Sequence, residues 1–158
     1  MRRSINVLCL SASALMLLPT GVVAQQKSLK EQIQGPWSLA SCNSTTAKGE
    51  KTAYCANNPR GILILAGNGN YASTTIAGGR KDTNAPGVAS NFGTWSVNEA
   101  DKTVTLHFVG AFNPVNEGRD IKLNISLSGE ELKLSGTLNP AVPTAHRCTS
   151  IQARAIWP

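Results

Sequence analysis

The chain has 158 residues and carries 15 lysines and arginines against 9 acidic residues, a formal net charge of +6. This length corresponds to one domain of ordinary size. The basic residues are scattered along the chain without a patch or interleaved aromatic residues, so the composition argues against nucleic-acid binding.

The first 24 residues are typical of a cleavable signal peptide. Arg2 and Arg3 precede the apolar run INVLCLSASALMLLP, which is too short and too close to the N-terminus for a membrane span. We expect cleavage after Ala24 and a periplasmic or secreted protein; an uncleaved anchor and a twin-arginine address are weaker interpretations of the same residues. Cleavage leaves 134 residues with 13 basic and 9 acidic side chains and no second apolar run that could span a membrane.

A short helix is predicted directly after the leader, in the segment SLKEQIQG. Ser28 can cap this helix, Glu31 can complete a capping box, and Gly35 can end it. We therefore divide the mature chain into a helix and linker at 25–34 and one β-domain at 35–158.

Three cysteines remain after cleavage, and an odd number in an exported protein predicts one disulfide and one further thiol. If Lys48-Gly49 is the tip of a hairpin, Cys42 and Cys55 are equally far from it and face each other. Cys148 would pair with Cys42 instead if the first and last strands were neighbours. We prefer the Cys42–Cys55 pair over this alternative.

From Trp37 onward the pattern is one of short strands and tight turns with almost no helix. Eight to nine strands in sequence predict an all-β, up-and-down antiparallel sandwich or barrel. Closure of the last strand on the first would remove both exposed edges and leave an interior that is filled by side chains or holds one small ligand. The predicted strands lie at 37–44, 51–55, 62–66, 71–77, 92–97, 102–110, 119–127, 132–138 and 147–157.

Two longer segments without periodicity interrupt the strands, at 78–91 and 111–118. Loops of this length in a compact domain are often lids, binding loops or mobile connections. Arg80 and Arg119 flank them and could hold an anion at the mouth of a barrel, although such residues are more often simply solvated.

Three residues are candidates for the wall of a ligand site inside the barrel. Tyr71, Ser73 and Trp95 lie where strand alternation could point them inward, and they combine apolar surface with polar groups, as ligand sites do. Packing in the core is the competing explanation for each of them. His107 is expected outside if the apolar face of its strand is the interior.

The sequence lacks the patterns of common catalytic and metal sites. It has no Gly-x-Ser-x-Gly elbow and no Gly-rich phosphate loop before a helix. His146 and Cys148 form a single His-x-Cys pair without further ligands at metal-site spacing. We therefore expect no metal and no cofactor, and we favour a binding protein over an enzyme.

Four segments occur in order from about Ile33 to the C-terminus: GPWSLAS, NPRGILILAGNGNYAST, FGTWSVNEADKTVTLHF and NPVNEGRDIKLNISLSGEELKLSG. Their order resembles that of the lipocalin-like domain family of small, often bacterial barrel proteins. The extra cysteines and the 78–91 segment depart from that pattern. The resemblance implies a lipocalin-like (calycin) barrel in which Trp37, after Gly35, plugs one end and Arg154 of the last strand packs across its ring.

The leader, the strand pattern and the resemblance together predict an exported, monomeric barrel that binds a small hydrophobic or amphipathic molecule. Two alternatives stay open, because a fold alone does not give a function. One is a small isomerase or cyclase, which a pairing of His107 or Tyr71 with an acid inside the barrel would favour. The other is a filled barrel that acts as a structural or envelope-associated module, which tight packing without a cavity would favour.

Overall fold

The computed structural model describes residues 26–45, 48–50, 55, 57–79 and 87–137, together with the backbone of 147–155. The predicted leader at 1–24 lies outside these residues. Antiparallel strands form a barrel that is preceded by one short helix, which confirms the predicted all-β class. The elements are α1 (Leu29–Ile33), β1 (Gly35–Thr45), β2 (Arg60–Leu65), β3 (Asn70–Ile76), β4 (Val88–Asn98), β5 (Thr103–Ala111), β6 (Asp120–Ser128), β7 (Glu131–Thr137) and β8 (Arg147–Ala155).

Each strand pairs with the strand that follows it in the chain, and β8 pairs with β1, so the sheet closes on itself. Because the strands alternate in direction, the connections divide between the two ends of the barrel. One end, which we call the plugged end, carries the start of β1 and the short turns at 66–69, 99–102 and 129–130. The other, which we call the loop-bearing end, carries the longer connections at 46–59, 77–87, 112–119 and 138–146.

The plugged end is closed by buried side chains next to α1. Ile33 and Leu65 are fully buried, and Trp37 is 4% exposed. The indole Nε1 of Trp37 donates to the carbonyl of Ile33 over 2.7 Å, and that of Trp95 donates to the carbonyl of Ala66 over 2.9 Å. Buried indole N–H groups need such partners, so these bonds hold both rings in fixed positions across this end.

Alternate residues of each strand point into the barrel and form one core. In β6 the residues Ile121, Leu123 and Ile125 are buried and those between them are exposed, which confirms the alternation predicted for this strand. The buried cluster contains Ile33, Trp37, Leu65, Tyr71, Trp95, Val104, Leu106, Phe108, Ile121, Leu123, Ile125, Leu132 and Leu134.

The helix α1 has the predicted capping box. The Glu31 N–H donates to the Ser28 hydroxyl, and the Ser28 N–H donates to the Glu31 carboxylate over 2.8 Å. Because the backbone N–H and the hydroxyl of Ser28 both donate to it, the pKa of Glu31 lies below its ordinary value. Glu99, in the turn between β4 and β5, fastens the helix to the barrel: its carboxylate oxygens accept from the N–H groups of Leu29 and Lys30 over 2.9 and 3.0 Å.

The loop predicted at 78–91 is shorter in the structure, because β4 begins at Val88. From Val88 to Asn91 the backbone pairs with β3, and the hydroxyls of Thr74 and Ser90 hydrogen-bond at 3.0 Å. Cross-strand pairing thus holds small and polar residues in the sheet, although their composition is typical of a loop. The prediction of a loop over Val88–Asn91 is wrong. The predicted loop at 111–118 contains a 3₁₀ turn at Pro114–Asn116.

Cys42 and Cys55 form a disulfide with their Cα atoms 5.3 Å apart, which is the pairing preferred from the sequence. Cys55, which the hairpin hypothesis assigns to a return strand, lies in a 3₁₀-type turn, and 51–54 are outside the described residues. The strands β1 and β8 are neighbours, as the alternative pairing requires, but β8 places Ile151 and not Cys148 opposite Cys42.

Candidate functional site

On β2 to β5, the inner wall next to the loop-bearing end is lined mostly by small and polar residues. Leu63, Ser73, Asn91 and Ala111 form one row across β2 to β5, each paired with the next. They are in phase with the buried Tyr71 along their strands, so their side chains belong to the inner wall.

A second inward row lies one step nearer the loop-bearing end and consists of Gly61, Thr75 and Ala89. Every member of both rows is half-buried, whereas Leu65, Tyr71 and Trp95, further along the same inner faces, are buried. Water therefore reaches this part of the inner wall. We call the part of the interior that the two rows face the upper chamber.

The floor of the upper chamber is aromatic. Tyr71 and Phe108 are 4% and 6% exposed, and their ring centroids lie 6.2 Å apart with the planes tilted by 45°. Gly93 pairs with Tyr71 across the strands. A Cβ atom at this position would overlap the carbonyl oxygen of His107, so only glycine fits where β4 and β5 shift register. The inner wall consequently has no side chain opposite Tyr71.

Two polar atoms at the upper chamber have no hydrogen-bond partner although they are buried: the hydroxyl of Tyr71 and Oδ1 of Asn91. Buried polar groups of this kind are normally paired. Burial also raises the pKa of Tyr71, because the charged phenolate would be poorly solvated there. The phenol is therefore neutral at physiological pH and can donate a hydrogen bond.

The structure brings together two of the five residues predicted to contact a ligand. Tyr71 and Ser73 share the inner face of β3. Trp95 lies nearer the plugged end, where it belongs to the core. Arg119 is half-buried at the loop-bearing end, directly before β6, and already has an interaction partner in the structure. Arg80 lies outside the described residues.

Trp37 lies in the buried cluster at the plugged end. The resemblance to lipocalin-like proteins predicts a barrel-closing tryptophan at this position. Gly35, two residues earlier, has a positive φ of +131°. The side chain of Arg154 lies outside the described residues, and its backbone pairs with Ser38, whereas Trp37 pairs with Ala155. A cation–aromatic contact at this end involves Lys30, whose Nζ is 5.5 Å from the centroid of the Trp95 ring.

Asn91 is the residue of the upper chamber that the sequence analysis missed, because it was assigned to the loop at 78–91. A signal for it exists in the sequence. Asn91, Gly93, Trp95 and Val97 share one phase, so the alternation that marks Trp95 as inward extends back to Asn91. The neighbouring Ala, Ser and Gly residues hide this period.

The outer wall carries a separate polar groove of about 650 Å³ where β6 and β7 part. Near it, Nδ1 of His107 lies 2.7 Å from Oδ1 of Asp120, and Nζ of Lys122 lies 3.4 Å from Oδ2 of Asp101. His107 is exposed, as expected from its position opposite the apolar face of β5. The groove is lined by Asp101, Thr103, Asp120, Lys122, Asn124, Gly136 and Thr137.

No family model and no curated protein matches the chain. Within the described residues, no three His, Cys, Asp or Glu side chains are grouped as metal ligands. In the same part of the chain, no helix has the length and apolar character needed to cross a membrane.

Proposed function

We propose that the protein is an exported, lipocalin-like carrier that holds one small amphipathic molecule in the upper chamber. The observation that carries this proposal is the change along the inner wall. On β2, β3 and β4 the inward residues Leu65, Tyr71 and Trp95 are buried, whereas the seven residues of the two chamber rows are half-buried and mostly small or polar. A barrel that served only as a packed module would need no such change.

The chemistry of the chamber suits an amphipathic molecule. The rings of Tyr71 and Phe108 and the side chain of Leu63 offer apolar contact at the floor. Ser73 and Asn91, which are directly paired, offer hydrogen bonds on the wall above. Ligand sites in proteins combine a mostly apolar lining with a few such polar groups.

The proposed compartment is supported by the predicted leader and by the Cys42–Cys55 pair. Disulfides persist in oxidising compartments such as the periplasm and the extracellular space, and they are rare in the reducing cytosol. A carrier in such a compartment would move a poorly soluble molecule through water between membranes or cells.

The enzyme alternative finds less support in the described residues. His107 pairs with Asp120 on the outer wall, and no acid pairs with the Tyr71 hydroxyl. The filled-barrel alternative is favoured by the burial of Trp95, Leu106 and Leu123, but these residues belong to the core below the chamber.

The first test is native mass spectrometry of the mature protein purified from the envelope of its own host. We expect one small molecule per chain, released on denaturation and identified by its mass. Ser73→Leu should abolish the adduct, because it fills the chamber from the inner face of β3. Ala72→Leu is the matched control, because Ala72 is the exposed neighbour on the same strand, and it should leave the adduct intact.

Both variants are first checked for the wild-type melting temperature, so that loss of the adduct reports on the chamber and not on folding. An empty wild-type protein whose melting temperature is also unchanged across a panel of lipids and metabolites would contradict the proposal. An adduct that survives in Ser73→Leu would place the ligand elsewhere.

A further inference from the structure

Three polar side chains lie next to one another on the inner wall of the upper chamber. Ser73 of β3 pairs directly with Asn91 of β4, and Tyr71 is the diagonal neighbour of Asn91 on the same face. Directly paired side chains in antiparallel strands have Cβ atoms about 5 Å apart, and diagonal neighbours are about 7–8 Å apart. One small head group can therefore reach all three side chains.

The hydrogen-bonding capacity of this trio is incompletely used. The Tyr71 hydroxyl and Asn91 Oδ1 are both buried and unpartnered, and Tyr71 as a whole is only 4% exposed. Folded proteins pair nearly all their buried polar groups, and two exceptions on diagonally neighbouring residues are an arrangement that a bound molecule would complete. Their chemistry also restricts what that molecule can be.

We infer that the head group held in the chamber is neutral and carries a hydrogen-bond donor beside an acceptor, as a primary carboxamide or an alcohol does. This inference rests on the proposed function. Asn91 Oδ1 can only accept, so the ligand has to donate to it. The Tyr71 hydroxyl can donate in return to an acceptor on the same head group.

A carboxylate does not fit this arrangement. It has no donor for Asn91 Oδ1, so that buried oxygen would stay unpaired and would have a negative charge beside it. Of the two described arginines at this end, Arg60 at the start of β2 is exposed, in phase with the outward Ile62, and Arg119 directly before β6 already has a partner. The hydroxyls of Ser73 and Tyr71 can donate to either kind of head group, so the discrimination rests on Asn91 Oδ1, which needs a donor from the ligand.

The experiment compares three probes that share one alkyl chain and differ only in the head group: decanamide, decan-1-ol and decanoate. Isothermal titration calorimetry of the delipidated mature protein at neutral pH gives the affinity for each. We expect decanamide to bind about tenfold more tightly than decanoate, with decan-1-ol between them, since each satisfied hydrogen bond contributes modestly.

Variants then locate the head group. Asn91→Ala and Tyr71→Phe should each weaken decanamide binding by about three- to tenfold and leave decanoate binding unchanged. Asn124→Ala, on the exposed outer face of β6, is the matched control and should change neither affinity. Unfolding curves establish that all three variants keep the wild-type fold.

Several results would overturn the inference. Decanoate binding as tightly as decanamide, and losing affinity in Arg119→Gln, would assign the chamber to anions while leaving the carrier proposal in place. An equal loss for all probes in Asn91→Ala would show a structural effect only. Failure of every probe to bind also overturns the inference, and the native mass spectrum then decides whether the carrier proposal fails with it.

Discussion

Tyr71 combines features that rarely occur together in a packed interior. Its ring is part of the core and contacts Phe108, but its hydroxyl has no hydrogen-bond partner. An unsatisfied buried hydroxyl lowers the stability of the folded state by about 1–3 kcal/mol relative to a satisfied one. For packing alone, phenylalanine would serve at this position without leaving a hydroxyl unpaired. Contact of the hydroxyl with a ligand would explain why the residue is tyrosine.

The ionisation of Tyr71 gives the first prediction. Burial raises the pKa of Tyr71, so the folded protein holds the neutral phenol. The stability that the buried neutral phenol contributes is fully present below the ordinary tyrosine pKa of about 10 and is lost as the pH rises beyond it. The chain has two tyrosines, Tyr54 and Tyr71. Ultraviolet titration should show one ionising clearly later than the other, and Tyr71→Phe should remove the late step. Tyr54→Phe is the comparison and should leave only the late step. Simultaneous ionisation of both tyrosines near pH 10 would contradict the burial of the Tyr71 hydroxyl.

Gly93 gives a second prediction at the same scale. A Cβ atom there would overlap the His107 carbonyl, so Gly93→Ala should force β4 and β5 apart and lower the free energy of unfolding by about 1–3 kcal/mol. Gly67→Ala is the control, since its Cβ meets the movable end of the Gln34 side chain and the loss should stay within about 0.5 kcal/mol. Urea unfolding measures both, and equal losses in the two variants would show that the register shift at Gly93 tolerates a methyl group.

At the scale of elements, α1 is too short to be stable by itself. Helices of five residues do not persist in water without tertiary contacts. Its N-terminus is held twice, by the capping box of Ser28 and Glu31 and by the carboxylate of Glu99 from the barrel. Its C-terminal residue Ile33 is fully buried and accepts the indole hydrogen bond of Trp37. The helix is thus part of the plugged end.

Replacement of Glu99 tests this attachment. Glu99→Gln keeps the length of the side chain but removes the charge and one of the two acceptor oxygens, so we expect a loss of about 0.5–2 kcal/mol, the scale of a lost helix cap. Hydrogen exchange at the amides of Leu29 and Lys30 should accelerate more than exchange in the barrel strands. Glu130→Gln, in the exposed turn between β6 and β7, is the control and should change neither quantity. Unaltered exchange in Glu99→Gln would mean that Ile33 alone holds the helix.

At the scale of the whole molecule, the two ends of the barrel are stabilised by different chemistry. The plugged end depends on buried aromatic and aliphatic packing around Trp37. The loop-bearing end has the Cys42–Cys55 disulfide, which ties the β1–β2 connection back onto β1, with Cys55 fully buried. The covalent link compensates for the smaller apolar area that half-buried polar residues provide at that end.

Removal of this disulfide gives a further prediction. A loop of this length contributes about 3 kcal/mol to stability by constraining the unfolded chain, so Cys42→Ser with Cys55→Ser should lower the unfolding free energy by that amount. Cys148→Ser, which leaves the Cys42–Cys55 bridge in place, is the comparison and should lose less. Alkylation of the unfolded mature protein should find one free thiol without reductant and three with it. Three thiols without reductant would rule out the bridge.

The strands with strict alternation could be predicted from the sequence, and those without it could not be bounded. In β6 every second residue is aliphatic, so the period alone fixes its face. Val88–Asn91 has no such period. It is a strand because it pairs with β3, and that pairing cannot be seen in the local sequence. Tertiary pairing overrides local composition in such segments.

The same reasoning explains which site residues were predicted. The inward position of Tyr71 and Ser73 could be predicted from the alternation of β3. The depth of Trp95 in the barrel could not be predicted, because strand tilt and stagger decide how deep an inward residue lies, and alternation gives only its face. The contact of Glu99 with α1 joins residues about 70 positions apart and has no local signature.

The asymmetry of the two ends has a kinetic consequence. Because Ile33, Trp37 and Leu65 block one end, a molecule in the upper chamber has to enter and leave by the same route. With one end closed, a second molecule can bind only after the first has dissociated. Exchange in a chase experiment would then proceed at the dissociation rate of the first molecule, independent of competitor concentration.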